Sequence, residues 1–212
     1  MEAVYHRQVL QRAIGGRVSA RALAAITAAN LDQDSLRGLL HPEYHFDNSL
    51  FAQSLAYIED RRAAAVNASA AAAAWDAFGR LSHGAQDFYS HSNYVALWLE
   101  PFSPGSWPAP GMIDGLDRHL LSHPRLFTGR IYLPLEALCL FPRLRPLVKP
   151  LLPRDSHAWV NLDGPETGPL FPYSLEAAVQ RTAAELEETL AAIEQTGNRS
   201  AVADFLDRPG EY

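Results

Sequence analysis

"HGAQDFYSHSNYV", residues 83 to 95, sets His83, Asp87 and His91 at intervals of four among apolar and aromatic side chains. On an α-helix each residue advances about 100°, so positions four apart differ by only about 40° in direction and one turn in height. The three side chains therefore form a ladder on one helix face. Imidazole nitrogens and carboxylate oxygens are both good zinc ligands, and two turns of helix fix their spacing before any ion arrives. The alternative is three buried polar residues held by hydrogen bonds between helices. That arrangement needs a separate partner for every group on the stripe, so the ladder favours a metal.

Working outward, the helix carrying the ladder is predicted over residues 75–98, with Trp75, Phe78, Leu81, Phe88, Tyr94, Val95 and Trp98 as its apolar content. Gly79 and Gly84 interrupt it without ending it. Upstream, Val4, Val9, Leu10, Ala13 and Ile14 recur at helical spacing until Gly15-Gly16 breaks the pattern. Ser19 is placed to cap a second helix reaching about Asn30. A third pattern runs from Ser49 to about Val66 and continues through "ASAAAAAW", residues 68 to 75. Its alanines favour helix and allow close packing.

Residues 101 to 110, "PFSPGSWPAP", contain four prolines and are predicted to be irregular. Short helical fragments follow around Met112–Leu121 and Leu133–Leu140. After Pro172, "SLEAAVQRTAAELEETLAAIEQ" reads as a long helix capped by Ser174, with Leu175, Val179, Leu186, Leu190 and Ile193 on one stripe and glutamates elsewhere. Strand signals are scarce. The expected architecture is an all-α, compact helical bundle: one metal-binding domain over residues 1–212, with an irregular excursion at about 101–172.

Composition narrows the function. At 212 residues and 48% hydrophobic content the chain can bury a sizeable core. Eighteen basic and 24 acidic residues give a net charge of -6 without blocks of like charge, which speaks against a nucleic-acid duplex as partner. The single cysteine, Cys139, rules out an intramolecular disulfide and a cysteine-based zinc site. Any metal must be held by His, Asp and Glu. No basic-then-apolar leader opens the sequence, and no run approaches roughly 18 apolar residues. The chain reads as cytoplasmic without a transmembrane segment, with a processed leader or non-classical secretion left open.

Further ligands surround the ladder. His6 lies mid-helix in an apolar neighbourhood, "LDQDSLRGLLHPEYHFDNS" supplies Asp32, Asp34, His41, His45 and Asp47, and "DSHAWVNLDGPE" adds His157 and Asp163. Together they could serve two or three cations. His119 and His123 in "DRHLLSH" are also four apart, but read as a surface pair ahead of Pro124.

Taken in order, "ANLDQDS", "HPEYHFDN", "HGAQDFYSHSN" and "SHAWVNLDGP" resemble the bacterial relatives of the fungal heterokaryon-incompatibility protein Het-C. That family is similar to the zinc-dependent phospholipase C and S1/P1 nuclease superfamily. The resemblance spans residues 6 to about 166 and is followed by the long closing helix. It implies a helical bundle of the phospholipase C and P1 nuclease type, with a metal cluster at the base of a cleft and phosphoester hydrolysis as activity. It further implies Asp34, His45, His83 and Asp87 on one metal, with Asp87 bridging to a second held partly by His6. His91 and His157 would complete another site with Asp163 as carboxylate. Zinc is the implied ion, two or three per chain, with calcium or another divalent ion as alternative.

Two departures stand out. The secreted phospholipases use a processed N-terminal tryptophan as ligand, whereas Met1 begins this chain five residues before His6, which takes the chelating amine away. Their last site ends in His-x-x-x-Glu, where this chain has Asn161 and then Asp163.

The chemistry expected is a metal-activated water attacking a phosphoester or phospholipid in line, with Asp34 orienting or deprotonating it and Asp87 as the shared ligand. Phe102, Trp107 and Met112 are apolar residues for an acyl chain or for plain loop packing. Residues 125 to 152 mix apolar and basic residues, a composition compatible with peripheral membrane contact but also with ordinary packing. One rival is a non-catalytic, metal-stabilised recognition or incompatibility module. A second, a helical di-iron oxidase, usually draws on paired Glu-x-x-His motifs, which this sequence lacks.

Overall fold

The ladder lies on α4 (Ala71–His91), the axis of the molecule, whose side chains are buried almost without interruption from Ala74 onward. The computed structural model describes residues 1–103, 105–139, 141, 143–197 and 199–208. Around α4 stand α1 (Ala3–Ile14), α2 (Ala20–Asp32), α3 (Phe51–Val66) and α10 (Phe171–Gln195), with α5 (Tyr94–Leu99) continuing beyond it. The excursion carries α6 (Arg118–Leu121), α7 (Leu135–Leu138), α8 (Arg145–Val148) and α9 (His157–Val160), and α11 (Arg199–Leu206) follows α10. The fold is all-α. Among the described residues only two isolated bridges form, Ser92 with Thr128 and Arg130 with Ser156.

Helix α4 packs most extensively on α2, α3 and α10. Ile26, Ile58, Phe78, Leu81 and Leu186 meet in the core at near-zero exposure, each contributing about 1.5–3 kcal/mol by burial. The two glycines of α4 are close-approach points. A Cβ on Gly79 would lie 2.4 Å from the Ile26 carbonyl oxygen of α2, and one on Gly84 would lie 2.9 Å from that of Tyr44. Gly84 thus lets the segment carrying His45 rest directly on α4.

Several boundaries differ from the sequence expectation. Ser19 caps α2 as predicted, accepting from Ala22 N at 3.0 Å. The polyalanine segment does not prolong α3: the chain turns at Asn67–Ala70 and the alanines open α4. The 75–98 helix breaks at Ser92, whose backbone is extended, before α5 resumes. Helix α10 begins at Phe171 because Pro172 fits its first turn, where no amide hydrogen bond is lost; Ser174 is an interior, buried residue. Not all its glutamates face solvent, since Glu185 is fully buried. The fragment expected at 133–140 is α7, and Leu140 lies outside the described residues.

The excursion is stitched to the bundle by backbone bonds. Gly129 N donates to His91 O at 2.8 Å, Asn48 N to Gly129 O at 2.8 Å, and His157 N to Arg130 O at 2.8 Å. Leu162 N donates to Ser90 O at 2.7 Å. These bonds bring residues 45–49, 128–131 and 155–163 to the C-terminal end of α4.

Candidate metal centre

Four carboxylates, five imidazoles and the Met1 amine converge beside the last two turns of α4. His45 Nδ1, His83 Nε2 and Asp87 Oδ2 form a triangle with sides of 2.9, 3.0 and 3.0 Å. Asp34 Oδ1 lies 3.5 Å from His83 Nε2, and one ligand atom from each of the four residues falls within 4.8 Å of every other. Adjacent ligands of a tetrahedral zinc with bonds of about 2.0–2.1 Å stand about 3.3 Å apart. The observed separations bracket that value.

Satisfied hydrogen bonding would be the alternative account. It falls short here, because three atoms able to accept a proton, His45 Nδ1, His83 Nε2 and Asp87 Oδ2, meet at about 3 Å, while the opposite ring nitrogens, His45 Nε2 and His83 Nδ1, are buried without a hydrogen-bond partner. An unsatisfied buried polar atom costs about 1–3 kcal/mol, so these rings make a poor hydrogen-bonded core. The donor set fits a divalent cation: neutral nitrogens and carboxylates without thiolates.

Asp87 turns its second oxygen to a different group. Oδ1 lies 2.7 Å from the Met1 amine and 3.3 Å from His6 Nε2. The Met1 amine is also 2.9 Å from Asp163 Oδ1 and 3.5 Å from His91 Nε2, which in turn is 3.1 Å from Asp163 Oδ1. The expectation that the chain has no amine at the cluster is therefore corrected. Helix α1 carries Met1 and His6 to the same end of α4, and Glu2 N holds Asp163 through its carbonyl at 3.0 Å.

A third group comprises Asp47, His91 and His157. Asp47 Oδ1 is 3.4 Å from His91 Nδ1 and 3.9 Å from His157 Nε2. The carboxylate beside both histidines is thus Asp47, while Asp163 lies on the Nε2 side of His91, with Met1. His91 Nδ1 also contacts the His45 carbonyl at 2.9 Å while Nε2 faces Asp163; against burial, Asp87, Asp47 and Asp163 hold the ring well above the ordinary histidine value, so without an ion both nitrogens carry protons. Asn161 is not in the cluster; its Oδ1 accepts from Arg145 Nη2 at 3.3 Å.

Electrostatics follow from the crowding. Burial holds the His83 imidazole down to about 3, reinforced by His6 and His45 against the pull of Asp87, so it is a neutral ring. Burial would raise Asp87, but the Met1 ammonium and the imidazoles of His83, His91 and His6 outweigh it and hold the carboxyl well below its usual range. Asp34 moves the other way, raised by burial and by the charge of Asp87. Burial opposes protonation of the Met1 amine, yet Asp163 and Asp87 raise it to about 11.

All eight residues singled out as ligands, His6, Asp34, His45, His83, Asp87, His91, His157 and Asp163, meet at this end of α4. Asp47 joins them. It was visible as the residue two after His45 but carried no spacing signal. A supporting layer was also missed: Gln86 Oε1 lies 2.6 Å from His6 Nδ1, while Gln86 Nε2 donates to Thr182 at 3.1 Å and Asn30 Nδ2 donates to Ser82 at 3.0 Å. Gln86 neighbours Asp87 in sequence but points to the adjacent face, so the ladder spacing could not find it. His41 pairs with Glu43, Asp32 with Arg80, and His119 is exposed, all away from the cluster.

Two hollows flank the centre. A polar one of about 480 Å³, whose walls include Gln33 and Ser35 on either side of Asp34 in sequence, is lined by Arg37 and by the paired Asp32 with Arg80 and Asp60 with Arg61. A groove of about 740 Å³ is lined by Ser92, Phe102, Trp107, Trp159 and Leu162. Met112 is not among its walls and stands exposed.

No curated protein and no solved structure matches the chain. Residues 2–102, just under half of it, are similar to the VWA7 N-terminal domain family, a match that covers α1 to α5 and all of the cluster except Met1, His157 and Asp163.

Proposed function

We propose that the chain is a metal-dependent phosphoesterase, with zinc as the expected ion and a phospholipase C-like substrate range. The observation that carries this reading is the double engagement of Asp87, whose Oδ2 faces His45 and His83 while Oδ1 faces Met1 and His6. A carboxylate so placed is suited to bridge two cations. His45, His83, Asp34 and Asp87 would hold one, and Met1, His6, His91 and Asp163 would surround a second, with Asp47 and His157 adding a third set of donors. Paired divalent cations supply an activated water and offset the charge of a phosphoryl group. The motif resemblance to Het-C and the phospholipase C superfamily supports the same reading.

The chain's own groups fit the remaining tasks. Asp34 is 36% exposed, against 26% for Asp163 and 1% for Asp87, so it is the ligand-type carboxylate that meets solvent most. Its raised pKa suits a group that takes a proton from water and gives it up again.

The test combines elemental analysis with hydrolysis of bis-p-nitrophenyl phosphate and of phospholipid. Purified protein is expected to hold about two or more divalent ions, and His83→Ala to lose metal and at least about a hundred-fold in turnover. Wild-type protein lacking metal, or turnover unchanged in the variant, would end the proposal. A second reading, a metal-stabilised recognition module, is favoured by the near-complete burial of His6, His83 and Asp87. It predicts bound metal without turnover on either substrate.

A further inference from the structure

Segment 130–154, "RIYLPLEALCLFPRLRPLVKPLLPR", holds five basic residues and one acidic residue, while the rest of the chain holds 13 basic and 23 acidic. The segment's single acid, Glu136, is buried with its carboxylate on the amides of Tyr132 and Ala158. The adjoining Asp155 accepts from Tyr132 and lies 3.7 Å from Arg130, which leaves Arg143, Arg145, Lys149 and Arg154 without an acidic partner among the described residues of the lobe. The surface of this lobe is therefore cationic on an otherwise acidic molecule. Arg130, Arg143 and Arg154 are exposed.

The lobe also turns its large apolar side chains outward. Val148, Leu152 and Ala158 form a small core of their own with Tyr132, Cys139 and Trp159. Leu133, Leu147 and Leu151 are 74, 70 and 71% exposed, and Leu135, Leu138, Phe141 and Leu144 are exposed as well. Packing thus accounts for Tyr132, Cys139, Val148 and Leu152, and leaves the outward leucines without a partner in the described structure. Exposed apolar groups in this number on one small lobe mark an interaction surface.

We propose that this lobe docks on an anionic lipid bilayer, its leucines entering the headgroup boundary and its arginines and lysine meeting lipid phosphates. Charge selects that occupant. A basic residue near an anionic leaflet contributes about 1 kcal/mol, and leucines alternating with cations match an interfacial segment, with cationic stems lying along apolar surface. A second copy meeting through the same face would set five cations against five. The cores of protein interfaces are depleted in lysine, which this lobe carries at Lys149 between Leu147 and Leu151. No helix among the described residues is long and apolar enough to cross a membrane, so the contact is peripheral.

The lobe is tied to the metal centre through His157 N on Arg130 O and Arg145 on Asn161. Docking therefore sets the His157 and Asp163 side of the cluster beside the lipid. This rests on the phosphoesterase reading only in naming a phospholipid headgroup as substrate class, and docking is measurable without turnover.

The experiment is flotation of the full chain with phosphatidylcholine vesicles, with and without phosphatidylserine. Wild-type protein is expected to float with the anionic vesicles and not with the neutral ones. Leu147→Ser/Leu151→Ser and, separately, Arg143→Glu should each lower the bound fraction, the double leucine variant by at least about ten-fold. Both sites are exposed, so thermal melts should match wild type. Failure of wild type to float, equal flotation on neutral vesicles, or undiminished flotation of the leucine variant overturns the proposal. So does a dimer dispersed by the leucine substitutions. His83→Ala should float as wild type does, which separates loss of docking from loss of the metal centre.

Discussion

Two polar assemblies are buried in this molecule, and they are built on opposite principles. Between α3 and α10, Glu185 is enclosed by Arg62 and Arg181, both of its oxygens are bonded, and Arg62 Nε is the one orphan atom noted there. Beside the end of α4, carboxylates and imidazoles crowd to within about 3 Å of each other while His45 Nε2 and His83 Nδ1 stay without a hydrogen-bond partner. The first assembly closes on itself. The second sets the ligand atoms of Asp34, His45, His83 and Asp87 against one another with no arginine or lysine among them, and that contrast separates a structural ion group from a candidate site.

The contrast can be broken in order of expected size. Glu185→Ala strands the half-buried Arg181, leaves Arg62 to Glu59 and Glu188, and should cost about 3–5 kcal/mol in urea unfolding, with metal content unchanged. Loss of bound metal in that variant would show that the two assemblies are not independent. Chelation is the next largest effect. Restoring metal at a hundred to a thousand times its Kd should stabilise wild-type protein by about 3–4 kcal/mol and leave Asp87→Asn unmoved. Equal stabilisation of both proteins would place the ion elsewhere.

Smaller changes sharpen the same comparison. Gly84→Ala pushes a methyl against the Tyr44 carbonyl and should cost about 1–3 kcal/mol. Because that contact seats His45 against His83, metal affinity should fall in this variant and stay constant in Gly79→Ala, which disturbs α2 instead. A further check is in pH. In metal-free protein His83 and His157 are held below the ordinary histidine value, the first to about 3, chiefly by burial. Below about pH 6.5 the unfolded chain binds more protons at these two groups, so stability should fall on acidification, by about 1.4 kcal/mol per pH unit and group. His91, held above the ordinary value, opposes this only above about pH 6.5, and the lowered Asp87 and Asp163 add to it below about pH 4. Asp34, raised in the folded state, acts in the opposite sense nearer pH 4. Urea titrations at pH 7, 6 and 5 check the sign, and metal should flatten the slope.

Much of this was legible in the sequence. The four-residue spacing of His83, Asp87 and His91 is a property of helical geometry alone, and Ser19 is a local capping signal, so both were readable without neighbours. Sequence spacing could not show how Asp47 and Asp163 divide between the two sides of the His91 ring. That depends on backbone bonds from Asn48 to Gly129 and from Leu162 to Ser90, across more than 70 residues of chain. Likewise, glycines in α4 read as helix interruptions because their reason, the carbonyls of Ile26 and Tyr44, lies on other segments. The start of α10 was misplaced because serine signals a cap only where the preceding residues leave the helix, and Pro172 does not.

The stitching of residues 128–131 and 155–163 onto the end of α4 has an implication for assembly. Asp34, His45, His83 and Asp87 all come from the first 91 residues, whereas the other two groups draw on residues 157 and 163. On a ribosome the first set emerges long before its companions. An ion captured there would act as an early rivet, and the later ligands would close around it only once the whole lobe had come home.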